Sequence, residues 1–191
     1  MNSIIRQQQI LAGIKPTLLE YNGTGCNIHY SLPIDLARRL ALDIPGAEPA
    51  EDLHITLCYL GKQEDLGPER ISAAISVVEN FTKDLESLGG KIGGIGRFSG
   101  SPSSDGKDVF YLSVSVPYLE SLYIELVKAL DEAGVGYQPT HGFTPHITLA
   151  YIDRDGGLPL QRIEQEALTI DSLTVTIGTG NMNRKDFAFG G

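Results

Sequence analysis

The tetrapeptide His-Ile-Thr-Leu occurs twice in this chain, as residues 54–57 and again as residues 146–149. Each copy continues into a short apolar stretch that ends at a turn, which is typical of a β-strand. Successive side chains on a strand point to opposite faces, so the histidine and threonine of each copy share one face. Each copy can therefore bury its isoleucine and leucine while it presents an imidazole and a hydroxyl to a cleft.

Two such strands side by side would hold the groups that acid–base chemistry on a phosphate requires. Because the unperturbed pKa of histidine is about 6.5, His54 and His146 can act as the base for the attacking oxygen and the acid for the leaving oxygen. The hydroxyls of Thr56 and Thr148 can donate hydrogen bonds to the non-bridging oxygens as negative charge builds there. A single strand histidine is more often structural, but an identical repeat in matched contexts favours catalysis. Which histidine is the acid depends on the direction of the substrate in the cleft.

Hydrophobic periodicity predicts the elements that must position the two motifs. Apolar residues recur at helical spacing over 33–42, 67–85 and 119–133, and they alternate around both motifs. Such runs of strands and helices in one chain predict an α+β domain in which two sheets meet at the motif strands. Residues 1–25 are predicted to be an N-terminal arm and residues 26–191 a single domain. The predicted strands are 26–32, 54–61, 91–98, 109–116, 146–153, 168–177 and 186–189.

The formal charge of −9 disfavours duplex DNA or long RNA as a partner, because binding to these polymers normally needs a basic face. The 15 Lys and Arg residues are scattered, which fits a small phosphate-bearing ligand better. No apolar run approaches the ~20 residues of a membrane-spanning helix, and residues 1–14 lack the features of a secretory signal. With only two cysteines, the sequence predicts a cytoplasmic protein that has no disulfide framework and no membrane partner.

The paired His-x-Thr-x motifs resemble the signature of the 2H phosphoesterases. This superfamily includes the LigT-like 2′-5′ RNA ligases, cyclic phosphodiesterases, and phage enzymes that destroy cyclic-nucleotide immune signals. Further similarity lies in YSLPIDLARRLA (30–41) and in the glycine-rich GGIGRFSG (93–100), and in all it spans Asn27 to Ile177. The resemblance implies a bilobal α+β fold in which two antiparallel sheets form a central cleft, with the helices on the outside.

The resemblance assigns His54 and His146 as the acid–base pair and Thr56 and Thr148 as donors to the phosphate oxygens. It implies no metal and no cofactor, in line with the absence from the sequence of a tight His/Asp/Glu cluster resembling a metal site. The implied substrate is a small nucleotide or a short single-stranded or cyclic oligonucleotide. The reaction would open a 2′,3′-cyclic phosphate, cut a 2′-5′ linkage or linearise a cyclic oligonucleotide. The alternative is a catalytically silent nucleotide-binding module, or a phage structural or interaction module, and the intact motifs argue against it.

Arg97, Lys107, His141 and Phe143 are weaker candidates for substrate binding. Arg97 and Lys107 border the polar loop 99–107, and a guanidinium matches a phosphate bidentately, although a surface charge is the more common role. His141 would flank the entrance of the cleft. A purine ring would stack on aromatic side chains if these line the cleft. The aromatic candidates are Tyr30, Phe98, Tyr111 and Phe143.

Strand alternation also makes predictions for other residues near the motifs. Tyr59 and Tyr151 follow the two motifs at equivalent places on the isoleucine side, so core packing is favoured for both. Cys58 would share the face of His54, without a partner that would make it a nucleophile. His29 could line the cleft, although a core or surface position is equally compatible with its strand.

Overall fold

The structure of the chain, a computed structural model, describes residues 25–100, 104–137, 142–160, 162–178 and 183–191. These residues form eight β-strands and three α-helices. The predicted N-terminal arm, residues 1–25, lies outside them except for Gly25. The strands are β1 (Gly25–Ser31), β2 (His54–Lys62), β3 (Leu88–Phe98), β4 (Asp108–Ser115), β5 (His146–Ile152), β6 (Glu166–Ile170), β7 (Ser172–Ile177) and β8 (Arg184–Ala188). The helices are α1 (Ile34–Leu40), α2 (Gln63–Phe81) and α3 (Leu119–Glu132).

All eight strands belong to one antiparallel sheet in the order β6-β3-β4-β5-β2-β1-β7-β8. The α+β class predicted from the sequence is confirmed. The two predicted sheets are the halves of this one sheet, because the motif strands β2 and β5 pair directly with each other. Alternation along a strand predicts which face a residue takes, but it carries no information on which strands pair.

The sheet is strongly curled, as the path of the chain at Asp171 requires. β6 ends at Ile170 and pairs with β3 at one edge of the sheet, whereas β7 begins at Ser172 and pairs with β1 near the other edge. Because only Asp171 separates the two strands, the two ends of the sheet come close together. The prediction of one strand over 168–177 is therefore wrong: the apolar alternation is nearly continuous, but the strand changes its partner at Asp171.

Helix α2 differs from its prediction at both ends. Gly67, with a φ of 74°, interrupts the helix after its first turn, and Pro68 opens the longer segment. Proline suits that position because its φ is already helical and it needs no hydrogen-bond acceptor there. The helix ends at Phe81, and a 3-10 turn at Thr82–Asp84 takes the place of the predicted continuation to residue 85.

Two apolar clusters hold these elements together. The first joins α1 to strands from both halves of the sheet, and the second places α2 and α3 together against β1, β2 and β7. Burying one large aliphatic or aromatic side chain is worth about 1.5–3 kcal/mol, so these clusters hold the sheet in its curled form. Fully buried members are Ile55, Phe110, Leu112, Ile147 and Ile170 in the first cluster, and Ile28, Leu126, Leu130 and Leu173 in the second.

Candidate active site

The two motif strands, β2 and β5, lie side by side at the centre of the sheet. Their registered pair is Ile55 with Ile147, the second residue of each motif. Residues that pair directly across neighbouring strands point to the same face of a sheet. Because both isoleucines are buried in the first cluster, the histidine and threonine of each motif share the opposite face.

The antiparallel register also crosses the two motifs. With Ile55 opposite Ile147, His54 lies on the Thr148 side of the pair and Thr56 lies on the His146 side. An imidazole of one motif is thus next to the hydroxyl of the other. The sheet gathers the two imidazoles and two hydroxyls that the sequence analysis singled out onto one surface.

Both motif histidines are held in the same tautomer by the backbone. His54 Nδ1 lies 2.6 Å from the carbonyl oxygen of Asp52, and His146 Nδ1 lies 2.7 Å from that of Thr144. A carbonyl oxygen can only accept, so Nδ1 carries the proton in each ring and Nε2 is left for chemistry. His54 Nε2 is 3.0 Å from the hydroxyl of Thr56.

Each motif strand contains a β-bulge immediately after its threonine. β1 pairs with the threonine of β2 and then with Cys58, so Leu57 is the extra residue. β4 pairs with the threonine of β5 and then with the residue after Leu149, so Leu149 is extra in the same place. A bulge reverses the alternation of the residues that follow it.

This reversal explains two wrong predictions. Cys58 pairs with Ile28 and is buried in the second cluster, so it does not share the histidine face, and burial raises the pKa of its thiol to about 12. Tyr59 is 46% exposed and not packed in the core. Tyr151, its counterpart, is buried, but the bulge at Leu149 takes it off the isoleucine side and it belongs to neither apolar cluster.

Two aromatic side chains, Phe98 and Tyr111, lie beside His146, and we call them the aromatic wall. The rings of Phe98 and Tyr111 stack on each other at 4.2 Å, and each makes an edge contact with the His146 ring, at 5.0 and 5.3 Å. A Cβ on Gly96 would lie 2.2 Å from the Tyr111 ring, so glycine is required beneath the wall. Phe98 and Tyr111 are both partly exposed.

The other side of the site, beside His54, is polar. His29, on β1, pairs with Thr56, and its ring centroid lies 4.7 Å from that of His54. The sequence analysis left three positions open for His29, but its spacing to Ser31 repeats the histidine-to-hydroxyl spacing of the motifs and could have singled it out.

Arg184 was missed by the sequence analysis. Its guanidinium donates to the Asp52 carboxylate at 2.8 Å and to the Glu51 carbonyl at 3.2 Å. It thereby holds the 3-10 turn Ala50–Asp52, whose last carbonyl orients His54. Arg184 follows the second motif by more than thirty residues, and no local pattern connects it to that turn.

The structure gives Arg97 and Lys107 contacts other than those predicted. Arg97 donates to the Asp108 carboxylate and to carbonyl oxygens of the turn at 153–156, and Lys107 lies 3.9 Å from the Asp153 carboxylate. The Gly100 amide and Arg97 lower the pKa of Asp108. These contacts fasten the β3–β4 connection to the end of β5, and phosphate binding by either cation stays a prediction.

The remaining sequence candidates have mixed outcomes. Phe143 stacks on Tyr123 of α3 at 4.3 Å and packs against both apolar clusters, so its ring is occupied within the fold. Tyr30 is buried on the core face, where its hydroxyl donates to the carbonyl of Thr169. His141 lies outside the described residues.

Among the residues that the structure describes, no group of three or more His, Cys, Asp or Glu side chains is placed to hold a metal ion. None of the described helices is long and apolar enough to cross a membrane.

Comparisons with known proteins bear on this arrangement. A family model described as the 2′-5′ RNA ligase superfamily matches residues 31–180, a span that includes both motifs. No curated protein sequence matches the chain. TT0787 of Thermus thermophilus has a similar structure, with 17% sequence identity and a TM-score of 0.64 over 87% of this chain and 98% of that protein.

Escherichia coli LigT is similar to the same degree. Its complex with 3′-AMP matches with 17% identity and a TM-score of 0.61 over 88% of this chain and 99% of LigT, and its complex with ATP matches with a TM-score of 0.60. Identity this low shows a shared fold, and the family model covers most of the chain independently of it. The chain therefore belongs to the 2′-5′ RNA ligase superfamily, within the 2H phosphoesterases.

Proposed function

We propose that the chain is a metal-independent phosphodiesterase that uses the two His-x-Thr motifs for acid–base cleavage of a nucleotide phosphodiester. The observation that carries this proposal is the register of β2 and β5, which pairs Ile55 with Ile147 and sets both motifs on one face. The backbone carbonyls behind both histidines add support, because they leave Nε2 of each ring available to the substrate.

In the proposed reaction a phosphate lies between the two motifs. Nε2 of one histidine takes a proton from the attacking water, and Nε2–H of the other histidine, present as imidazolium, donates a proton to the leaving oxygen. The P–O bond to the leaving group breaks as the bond from the attacking oxygen forms on the opposite side. The hydroxyls of Thr56 and Thr148 donate to the non-bridging oxygens, which gain charge in the transition state.

The surroundings of the motifs support a nucleotide as the substrate. The aromatic wall next to His146 offers partly exposed ring faces, and stacking of one base on an aromatic side chain is worth about 1–3 kcal/mol. The charge of −9 favours a small nucleotide or a short or cyclic oligonucleotide over a long polymer. Complexes of Escherichia coli LigT with 3′-AMP, NADP+ and ATP add support for a small ligand in this fold.

The test is an activity screen in the presence of a chelator. The substrates are 2′,3′-cyclic nucleotides, 2′-5′ dinucleotides, and cyclic di- and trinucleotides, and the variants are His54→Ala, His146→Ala and the double variant. Tyr118→Ala is a matched control, because Tyr118 is 77% exposed. We expect turnover of one substrate class that the chelator leaves intact and the double variant loses.

Two results would contradict the proposal. If the chelator abolished turnover, the reaction would depend on a metal. If nucleotides bound with no turnover of any substrate, the alternative of a catalytically silent nucleotide-binding module would be favoured. In that case His54→Ala would have no rate to remove.

A further inference from the structure

His29 is a buried histidine that the proposed reaction does not use. It is 1% exposed, yet its ring makes an edge contact with His54, at 4.7 Å between centroids and 63° between planes. It reaches that position because β1 pairs His29 with Thr56 and Ser31 with His54, which places His29 on the motif face of the sheet. One side of the His54 ring is therefore covered by protein.

Hydrogen bonds fix the protons of His29. The Thr174 hydroxyl donates to the Asp186 carboxylate at 2.7 Å, so its oxygen can accept from Ser31, 3.2 Å away. Ser31 in turn lies 3.5 Å from His29 Nδ1 and can accept its proton. The hydroxyl of Thr176, 2.8 Å from Nε2, is then the donor to the second nitrogen. The Asp186 carboxylate can only accept hydrogen bonds, and this fixes the direction of each bond from Thr174 to Thr176. With these directions, both ring nitrogens of an uncharged His29 have a partner.

The cationic groups around His29 also favour its uncharged form. The titratable and charged groups on the described strands packed against it are His54 on β2 and Arg184 and Asp186 on β8, and Arg184 is paired with Asp52. Burial lowers the pKa of His29 well below its usual value, and the nearby His54 and Arg184 lower it further.

We propose that His29 is a positioning residue for His54: an uncharged ring, held by Thr176, that fixes the plane of the His54 imidazole and keeps water from one of its sides. Its effect on turnover rests on the proposed function, but its effect on the His54 ring does not. The two motif histidines then have different neighbours: His54 contacts a second imidazole, whereas His146 contacts the aromatic wall.

The experiment follows the imidazole nitrogens of the full chain by NMR across the pH range in which histidine titrates. We compare the wild type with His29→Ala, which removes the ring, and His29→Phe, which keeps a ring against His54. In the wild type His29 stays neutral. In His29→Ala water reaches His54 and stabilises its charged form, so its titration midpoint moves to higher pH, whereas His29→Phe stays close to wild type.

Thr176→Val is a second variant, because valine has nearly the same shape as threonine and removes only the hydrogen bond to His29. It should broaden the His54 signals, because the His29 ring is then free to move against His54, and this readout remains even if His29→Ala fails to fold. An unchanged His54 titration midpoint in folded His29→Ala, or unchanged His54 signals in Thr176→Val, would overturn the proposal. The NMR titration needs no turnover, so it tests the role of His29 separately from the proposed function.

Kinetics supply the second readout, on whichever substrate the screen identifies. We expect His29→Ala to lower kcat by about 10- to 100-fold, by analogy with the loss seen when a partner that orients a metal-ligating histidine is removed, with KM little changed. One limb of the pH–rate profile should move to higher pH, and that limb belongs to His54. A fall in kcat with both limbs unmoved would mean that His29 has only a structural role.

Discussion

At the scale of single residues, the site depends on hydroxyl and carbonyl groups as much as on its imidazoles. The carbonyls of Asp52 and Thr144 fix the same tautomer in both motif histidines, and the Thr56 hydroxyl lies within hydrogen-bond distance of His54 Nε2. Thr148 is 8% exposed, so most of the residue is buried.

We expect Thr56→Val and Thr148→Val each to lower kcat by about 100-fold, because each removes a donor to a phosphate oxygen that gains charge in the transition state. KM should change much less. Thr56→Ser and Thr148→Ser are the matched controls, since serine keeps the hydroxyl, and they should retain most of the rate. Steady-state kinetics check this, and equal losses in the serine and valine variants would argue against the hydroxyl as the donor.

Because His29 is buried, we expect the free energy of unfolding to depend on pH. Its pKa is lowered in the folded chain, whereas in the unfolded chain it stays near 6.5. Below about pH 6.5 the unfolded chain therefore binds a proton that the folded chain does not, and the free energy of unfolding falls by up to about 1.4 kcal/mol per pH unit. Stability from this source is complete above the unfolded pKa and is lost on acidification.

Urea unfolding at about pH 7.5 and about pH 5.5 measures this dependence. We expect His29→Gln to be less stable than the wild type at the higher pH but to lose less stability between the two. Parallel losses in both proteins would show that other groups cause the acid sensitivity.

The strand and the face of each motif could be predicted from the sequence because each motif is local: four consecutive letters define both. Arg184 and the exact role of His29 could not be predicted in this way. Their contacts join strands far apart in the chain, and Arg184 contacts a turn that lies before the first motif. Only the pairing of β1, β7 and β8 brings them to His54.

At the scale of elements, β8 acts on the site through Arg184, which donates hydrogen bonds to the turn Ala50–Asp52. We expect Arg184→Met to lower kcat several-fold and to reduce the free energy of unfolding by about 1–2 kcal/mol, because it removes hydrogen bonds to a carboxylate and a carbonyl. Lys185→Met is the matched control, since Lys185 is the exposed neighbour on the same strand. If the two variants had the same kcat and the same free energy of unfolding, Arg184 would not hold this turn in place for the reaction.

The glycine-rich strand β3 makes room for the aromatic wall. In Gly96→Ala the new Cβ would overlap the Tyr111 ring, so we expect the wall to shift, KM to rise about 10-fold and kcat to change less. Gly89→Ala is the control, because a Cβ there meets nothing within 4 Å. Substrate titrations of the two variants provide the comparison, and an unchanged KM in a folded Gly96→Ala would argue against base stacking at this wall.

Element boundaries show where sequence patterns lose their information. The helical period correctly predicted α1 and α3 to within a few residues, and strand alternation predicted the face of each motif. The bulge at Leu57 changed the face of Cys58 and Tyr59, because an extra residue in a strand depends on the neighbouring strand and leaves the apolar pattern intact.

At the scale of the whole molecule, the two halves of the sheet are joined through Ile55 and Ile147. We expect Ile55→Ala to reduce the free energy of unfolding by about 2–5 kcal/mol, the usual cost of a large cavity in a packed core. Ile124→Ala, at a site 59% exposed, should change it by less than about 0.5 kcal/mol. Urea unfolding checks both, and equally small effects would mean that the junction adds little to stability.

The paired motifs are related by the local twofold rotation that any antiparallel strand pair possesses, and even their bulges obey it. A phosphate has two non-bridging oxygens with the same symmetry, so the reacting groups by themselves look alike from either end of a scissile bond. In the proposed reaction, exchange of the proton donor and acceptor would run the same step backwards, so these groups by themselves would serve joining as well as cleaving. The aromatic wall on one flank and His29 with Arg184 on the other break that symmetry. Under the proposed function, the direction in which a substrate lies would therefore be set by parts of the site that never touch the phosphorus.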